Sequence, residues 1–117
     1  MAARFELVLD DAGWFHFQLR SQAGSVLLRS AAAPSKIRAQ ADVLNTRTAL
    51  RDPARIGRWQ GADGFPRIVI TKPDGSLLAK SPRLTGDEVL PKVAAYILAA
   101  SERAPVIDLT KHEPAAP

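Results

Sequence analysis

Phe17-Gln18-Leu19-Arg20-Ser21-Gln22-Ala23-Gly24-Ser25-Val26-Leu27-Leu28-Arg29-Ser30 can be laid without a gap on Ile68-Val69-Ile70-Thr71-Lys72-Pro73-Asp74-Gly75-Ser76-Leu77-Leu78-Ala79-Lys80-Ser81, at a constant offset of 51 residues. Gly24 meets Gly75, Ser25 meets Ser76, Leu27 meets Leu78 and Ser30 meets Ser81. Apolar positions also meet apolar ones: Phe17 with Ile68, Leu19 with Ile70, and Val26 with Leu77. An internal repeat of this kind decides the architecture before any single element does.

Each copy reads as a hairpin. Phe15, Phe17 and Leu19 alternate with Trp14, His16, Gln18 and Arg20, the period-2 pattern of a strand with one buried face. The turn follows at Gln22-Ala23-Gly24-Ser25 in one copy and Lys72-Pro73-Asp74-Gly75 in the other. Proline presets φ, aspartate bonds its own backbone, and glycine accepts φ > 0. A short returning strand then runs over Ser25–Ser30 and Ser76–Ser81. A helix is expected after each hairpin. The first starts after Ser35, a good N-cap, carries Ile37, Ala41, Leu44 and Thr48 on one face, and ends before Pro53. For the second, Thr85-Gly86-Asp87-Glu88 has capping-box spacing, while Pro91 favours a later start. Its apolar stripe is Val89, Leu90, Val93, Ala94, Ile97 and Ala100, and Pro105 marks its end.

Phe5-Glu6-Leu7-Val8-Leu9 alternates as a further strand, and short strand-like stretches follow the helices at Ile56–Trp59 and Val106–Leu109. Hairpins followed by helices predict an α+β fold. The order is strand, strand, strand, helix, strand, then strand, strand, helix, strand, in one antiparallel sheet with both helices packed on one face. The expected domain covers residues 1–110, with repeat one over about 4–59 and repeat two over about 60–110, and 111–117 reads as a disordered tail. The expected core is Phe5, Leu7, Phe15, Phe17, Leu19, Ile37, Leu44, Ile68, Ile70, Val89, Val93 and Ile97.

At these residues the chain resembles the YegP-like family, small proteins whose function is not established. The likeness covers roughly residues 4–110. Asp10-Asp11-Ala12-Gly13-Trp14-Phe15-His16-Phe17-Gln18-Leu19-Arg20 is similar to the family's Gly-x-x-x-Phe-x-Leu-Lys strand, Ala23-Gly24-Ser25-Val26-Leu27 to its Asn-Gly-Glu-Val-Ile turn, and Ser35-Lys36 to the Ser-Lys that opens its helix. The resemblance implies two tandem β3-α-β type repeats forming that one sheet, with the strand after each helix exchanged into the other repeat. The chain departs from the family at Ala23 and Asp74, where asparagine is usual. It departs again between hairpin and helix, where Ala31 and Ala33, and Pro82 and Leu84, replace the usual glutamate and tyrosine.

The chain has 117 residues, 46% of them hydrophobic and 24% charged, which fits a soluble domain able to fold unaided. Cysteine is absent, which excludes disulfides, thiolate metal sites and cysteine nucleophiles. No apolar run approaches the ~18 residues of a membrane span, and Glu6, Asp10 and Asp11 interrupt any leader-like stretch, so a cytoplasmic protein is expected. Residues 16–73 carry ten bases against Asp42, Asp52 and Asp63, a net of +7, while residues 1–15 net −2 and residues 74–117 net −1. An anionic partner would bind the middle segment.

No catalytic constellation emerges. His16 and His112 are the only histidines and both read as surface residues. Asp10 and Asp11 are neighbours, which a turn with Gly13 explains better than a carboxylate pair. Gly61-Ala62-Asp63-Gly64 lacks the Lys-Ser or Lys-Thr of a phosphate loop and reads as a connector. No cofactor or metal is expected. Arg47, Arg51, Arg55 and Arg58 recur every three or four residues, but Pro53 leaves only Arg47 and Arg51 on one helical face. Arginine outnumbers lysine 11 to 5, so a solvated basic surface is as natural an account as phosphate contacts. Trp14 should point away from Phe15 and Phe17, onto the open face near Trp59, His16 and Arg58. The candidate partner surface is therefore Trp14, His16, Arg47, Arg51, Arg55, Arg58 and Trp59. The leading expectation is a non-enzymatic binding or structural module, monomeric because both repeats share one chain, although a dimer remains open. The alternative is nucleic-acid binding by basic and aromatic side chains, and a protein partner would use the same face.

Overall fold

The computed structural model describes residues 2–84 and 90–110. The strands are β1 (Arg4–Leu9), β2 (Phe15–Arg20), β3 (Val26–Ser30), β4 (Ile56–Gln60), β5 (Pro66–Thr71), β6 (Leu77–Lys80) and β7 (Val106–Asp108). The helices are α1 (Lys36–Ala49) and α2 (Leu90–Glu102), with a 3-10 turn at Pro53–Arg55 leading into β4. The strands form one mixed seven-stranded sheet in the order β4-β5-β6-β3-β2-β1-β7. The fold is α+β.

Local chemistry sets the elements. Ser35 caps α1, its hydroxyl accepting the Arg38 N–H at 3.2 Å. Gly24 and Gly75 take φ of 93° and 87°, a region that side chains disfavour, so both hairpins turn on the residue that tolerates it. The register then recurs 51 residues on. Phe5 faces Leu19 as Ile56 faces Ile70, and Leu19 faces Leu28 as Ile70 faces Ala79. Ladder shifts fall between Leu19 and Arg20 and between Ile70 and Thr71. The Ser30 hydroxyl accepts the Phe17 N–H at 2.8 Å, and the Ser81 hydroxyl accepts the Ile68 N–H at 2.9 Å. β3 meets β6 at the sheet centre, where Arg29 lies opposite Lys80 and Ser30 opposite Ala79.

The expected all-antiparallel sheet fails at one edge, because β7 runs parallel to β1. The chain leaves α2 at the end of the sheet where β1 begins, and the Phe5 N–H donates to the Pro105 carbonyl at 2.8 Å. From there β7 has to run in the direction of β1.

The core lies between the sheet and the helices: Phe5, Leu7, Phe17, Leu19, Leu28, Ile68, Ile70, Leu78 and Ile97 are all fully buried. Phe5 and Phe17 meet edge to face, with centroids 5.6 Å apart at 71°. Such a pair adds about 0.5–1.5 kcal/mol beyond its buried area. Phe15 and Val93 are partly buried against this core. Two expected core residues are not in it. Ile37 is 79% exposed and Leu44 61% exposed. α1 instead buries Ala39, Asp42, Val43, Thr46 and Ala49. The Thr46 hydroxyl donates to the Asp42 carbonyl at 2.8 Å, which satisfies it without water. Val89 and the capping-box spacing at 85–88 lie outside the described residues, as does the expected tail at 111–117.

Removing either serine hydroxyl orphans a buried strand N–H. Ser30→Ala and Ser81→Ala should each destabilise by about 1–3 kcal/mol, read in urea as a lower midpoint at unchanged m. Ile37→Ser should stay within ~0.5 kcal/mol of the parent, as an exposed position does.

Candidate functional site

Sheet register sorts the candidate residues. β1 and β2 pair Glu6 with Gln18 and Val8 with His16 on the face away from the helices. β2 and β3 add Arg20 opposite Val26 and Gln18 opposite Arg29. β5 and β6 add Val69 opposite Lys80, and β4 and β5 add Gly57 opposite Val69 and Trp59 opposite Arg67. One uncovered sheet face thus carries Arg20, Arg29, Trp59, Arg67 and Lys80. Arg58 pairs with Ile68 on the edge strand and borders depressions on both sides of it, one beside Pro91 and Ala94 of α2 and one beside Trp59 and Val69.

The two halves of the open face differ in charge. In the β1–β2 half, Glu6 accepts Arg4 Nε at 2.9 Å and Arg20 Nε at 2.7 Å. Burial alone would push the Glu6 carboxyl up, but the two guanidinium groups outweigh it and hold the carboxyl below its ordinary value. Both of these guanidinium groups are ion-paired to Glu6. In the β3–β6 half, Arg29 and Lys80 are exposed cross-strand neighbours, and among the described residues neither is ion-paired. Asp63 is the carboxylate of this region, 3.0 Å from Arg67 Nη2 and 4.0 Å from Arg83 Nη1. Its hydrogen bonds from Arg67, and then from the Phe65 N–H, hold its carboxyl below the usual range. Arg67 and Arg83 therefore share one carboxylate, and Arg29 and Lys80 add two further cations to this half.

Two open depressions join on this half. The first, about 390 Å³, is bordered by Arg58, Trp59, Val69, Thr71, Gly75, Leu77 and Lys80. The second, about 370 Å³, is bordered by Val26, Arg29, Arg67, Lys80, Pro82 and Arg83. Lys80 belongs to both. Trp59 is 48% exposed, with the Arg67 guanidinium 5.4 Å and the Lys80 ammonium 5.6 Å from its ring centre. Phe65, 41% exposed, has Arg83 5.0 Å over its ring. Such placements are cation–π contacts.

The other expected site residues do not join this surface. Trp14 is exposed, but it precedes β2, which lies four strand positions from β4. At ~4.8 Å per strand that is roughly 19 Å across the sheet. His16 is buried rather than exposed. Its Nε2 lies 2.8 Å from Asp10 Oδ2 and its Nδ1 3.2 Å from the Ser30 carbonyl. Asp10 does make the expected turn, accepting the Ala12 and Trp14 N–H groups at 2.9 Å. The Trp14 N–H first, and His16 next, keep its carboxyl below the ordinary value. Arg47 turns inward, donating to the Ala104 carbonyl, with its guanidinium 5.1 Å over the Phe5 ring. Arg51 lies 4.0 Å from Glu102, and Arg55 donates to the Thr71 carbonyl at 3.0 Å. Of the residues singled out from sequence, Arg58 and Trp59 border the basic depressions, Trp59 with its ring beside Arg67 and Lys80. Arg29, Arg67, Lys80 and Arg83 were not singled out. The offset that lays Arg29 on Lys80 was the available signal, because these two positions pair where β3 meets β6.

Among the described residues no helix is long and apolar enough to cross a membrane. No protein-family model matches the chain, and no curated protein matches it by sequence. Two solved structures are similar. One is the solution structure of YegP from E. coli, a protein of unknown function, with 20% identity, a TM-score of 0.86, and coverage of 96% of this chain and 97% of that one. The other is the UPF0339 protein from Shewanella oneidensis, with 18% identity, a TM-score of 0.85 and full coverage of both chains. At the level of the fold, these likenesses support the resemblance to the YegP-like proteins.

The last strand is held by charge. Lys36 Nζ lies 2.8 Å from Asp108 Oδ2, and Thr110 donates to the same carboxylate. Lys36 first, then Thr110, hold the Asp108 carboxyl well below the carboxylate range. A depressed folded-state pKa gives stability that is present above the unfolded value of about 3.9 and lost as pH falls below it. Acidification should therefore loosen β7, and Lys36→Met should do so at neutral pH. The readout is faster hydrogen exchange at the Leu109 amide, which donates to the Leu7 carbonyl at 2.9 Å. Unchanged exchange in the variant would remove the clasp from the account.

Proposed function

We propose that the chain is a monomeric, cytoplasmic, non-enzymatic binding module whose open sheet face takes an anionic macromolecule. It is built as one pseudo-symmetric domain from two tandem units. The duplication is supported by the recurrence of strand register, ladder shifts and serine-to-backbone bonds at one offset of 51 residues. β4 then opens the second unit as β1 opens the first, so that unit starts near residue 55 rather than 60. β7 supplies the strand that the second unit lends to the first.

The observation that carries the binding function is the asymmetry of the open face. Arg4 and Arg20 are both ion-paired to Glu6, whereas Arg29 and Lys80 stand side by side without a carboxylate among the described residues. Placing two like charges directly opposite across a ladder is unfavourable, and an anionic partner would relieve it. The non-enzymatic part is supported by the fate of polar groups. His16 is engaged by Asp10 and the Ser30 carbonyl, and the Ser30 hydroxyl already accepts from Phe17 and donates to Ala31, so among the described residues this histidine activates no nucleophile.

Labelled short DNA and a labelled heparin oligosaccharide, titrated by fluorescence anisotropy, test this reading. Binding should weaken linearly on a log–log salt plot, with a slope of roughly −0.7 to −0.9 per phosphate neutralised in DNA. Arg29→Glu with Lys80→Glu should lower low-salt affinity at least tenfold, while Arg51→Glu should change it less than twofold. Absence of binding to either polyanion at low salt would overturn the reading.

A further inference from the structure

Resting on that reading of the face, we infer that the anionic partner is single-stranded nucleic acid, with one base stacked on Trp59 and the adjoining phosphates on Lys80, Arg29 and Arg67. Trp59 supplies the first reason. Its ring is half exposed on an edge strand, and its flanking side chains are cations. The face of an indole is electron-rich, so it repels a carboxylate and attracts a cation or another π-system. An acidic peptide would gain the cations but not the ring, whereas a nucleotide uses both, offering a planar base next to a charged phosphate.

Trp59 stays half exposed although Arg67 and Lys80 lie over its ring. Gly57 sits two residues before Trp59 on the same side of β4 and carries no side chain. A Cβ there would come within 3.3 Å of Val69 Cγ2. The depression beside Trp59 is lined by Val69, Thr71, Gly75 and Leu77 together with Arg58 and Lys80. From Trp59 on β4 to Arg29 on β3 the path crosses β5 and β6. Three strand steps are about 14 Å, room for a few nucleotides of extended strand. Phe65, under Arg83, offers a second exposed ring at the same edge.

Single strands fit where a duplex does not. Duplex recognition by direct readout needs an element that enters a groove, and this face offers a sheet with open depressions. In a duplex the π-faces of the bases are hidden in the stack, so Trp59 would gain nothing from it. Stacking is available to every base, and the cations meet only phosphate, so recognition is tolerant of sequence.

The test uses the full chain with Trp14→Phe, so that Trp59 alone reports fluorescence. The probes are short single-stranded DNA and RNA, a duplex of the same length, and a heparin oligosaccharide. Single strands should quench Trp59 and bind at least tenfold tighter than the duplex. Trp59→Ala should weaken single-strand binding roughly five- to hundredfold. In the same background Trp59→Phe should retain most of the affinity, and urea midpoints show that both variants fold. Equal binding of all polyanions without quenching, or tighter binding of the duplex, would overturn this inference and leave the anionic face standing. Binding of none would remove both.

Discussion

The whole sheet depends on the short ladder between β3 and β6. Each hairpin could form on its own, but neither has enough strands to make a lasting sheet or to cover a helix. Arg29 opposite Lys80, Ser30 opposite Ala79, and the Ala31 N–H to the Leu78 carbonyl at 3.0 Å bring the two halves together. Behind that ladder Leu28, Leu78 and Ala79 are buried with Ile70 and Leu19, so the join is sealed on the helix side by apolar contact. On the other side it puts two cations next to each other. The pairing that completes the core therefore also creates the uncompensated charge on the open face.

Elsewhere charge is spent on holding the fold. Glu6 clamps Arg4 and Arg20, Asp108 fixes β7 to the start of α1 through Lys36, and Arg47 ties α1 to the end of α2 while covering Phe5. A net charge of +4 says little about where a partner would bind, because many of the arginines are already committed. What remains is local: Arg29 and Lys80, with Arg67 and Arg83 sharing Asp63.

The strands were legible because their pattern is strict. Phe15, Phe17 and Leu19 alternate with polar residues, and Pro73-Asp74-Gly75 allows one kind of turn. Ser35 likewise announced α1. The buried face of α1 was not legible, because it contains Asp42 and Thr46. A helix that buries a hydroxyl bonded back to its own backbone shows a broken apolar stripe, and the exposed Ile37 and Leu44 supplied a false one. His16 read as a surface residue because its partners, Asp10 and the Ser30 carbonyl, become neighbours only once β2 and β3 pair. The site was half legible for the same reason. Trp59 stands out as a residue type, whereas Arg29, Arg67 and Lys80 come from three strands and converge only through the strand order. The parallel edge at β7 depends on where α2 delivers the chain, which no local pattern encodes.

Native-state hydrogen exchange at the Ala31 amide tests the central claim most directly, because this N–H bridges the two halves. If the β3–β6 ladder holds the sheet together, Ala31 should exchange only through global unfolding. Its opening free energy should equal the stability measured with denaturant. A contradicting result would be Ala31 exchanging through a much cheaper opening while the Phe17 and Ile68 amides stay fully protected. The halves would then be separate folding units, and the open face they share would not be a fixed surface.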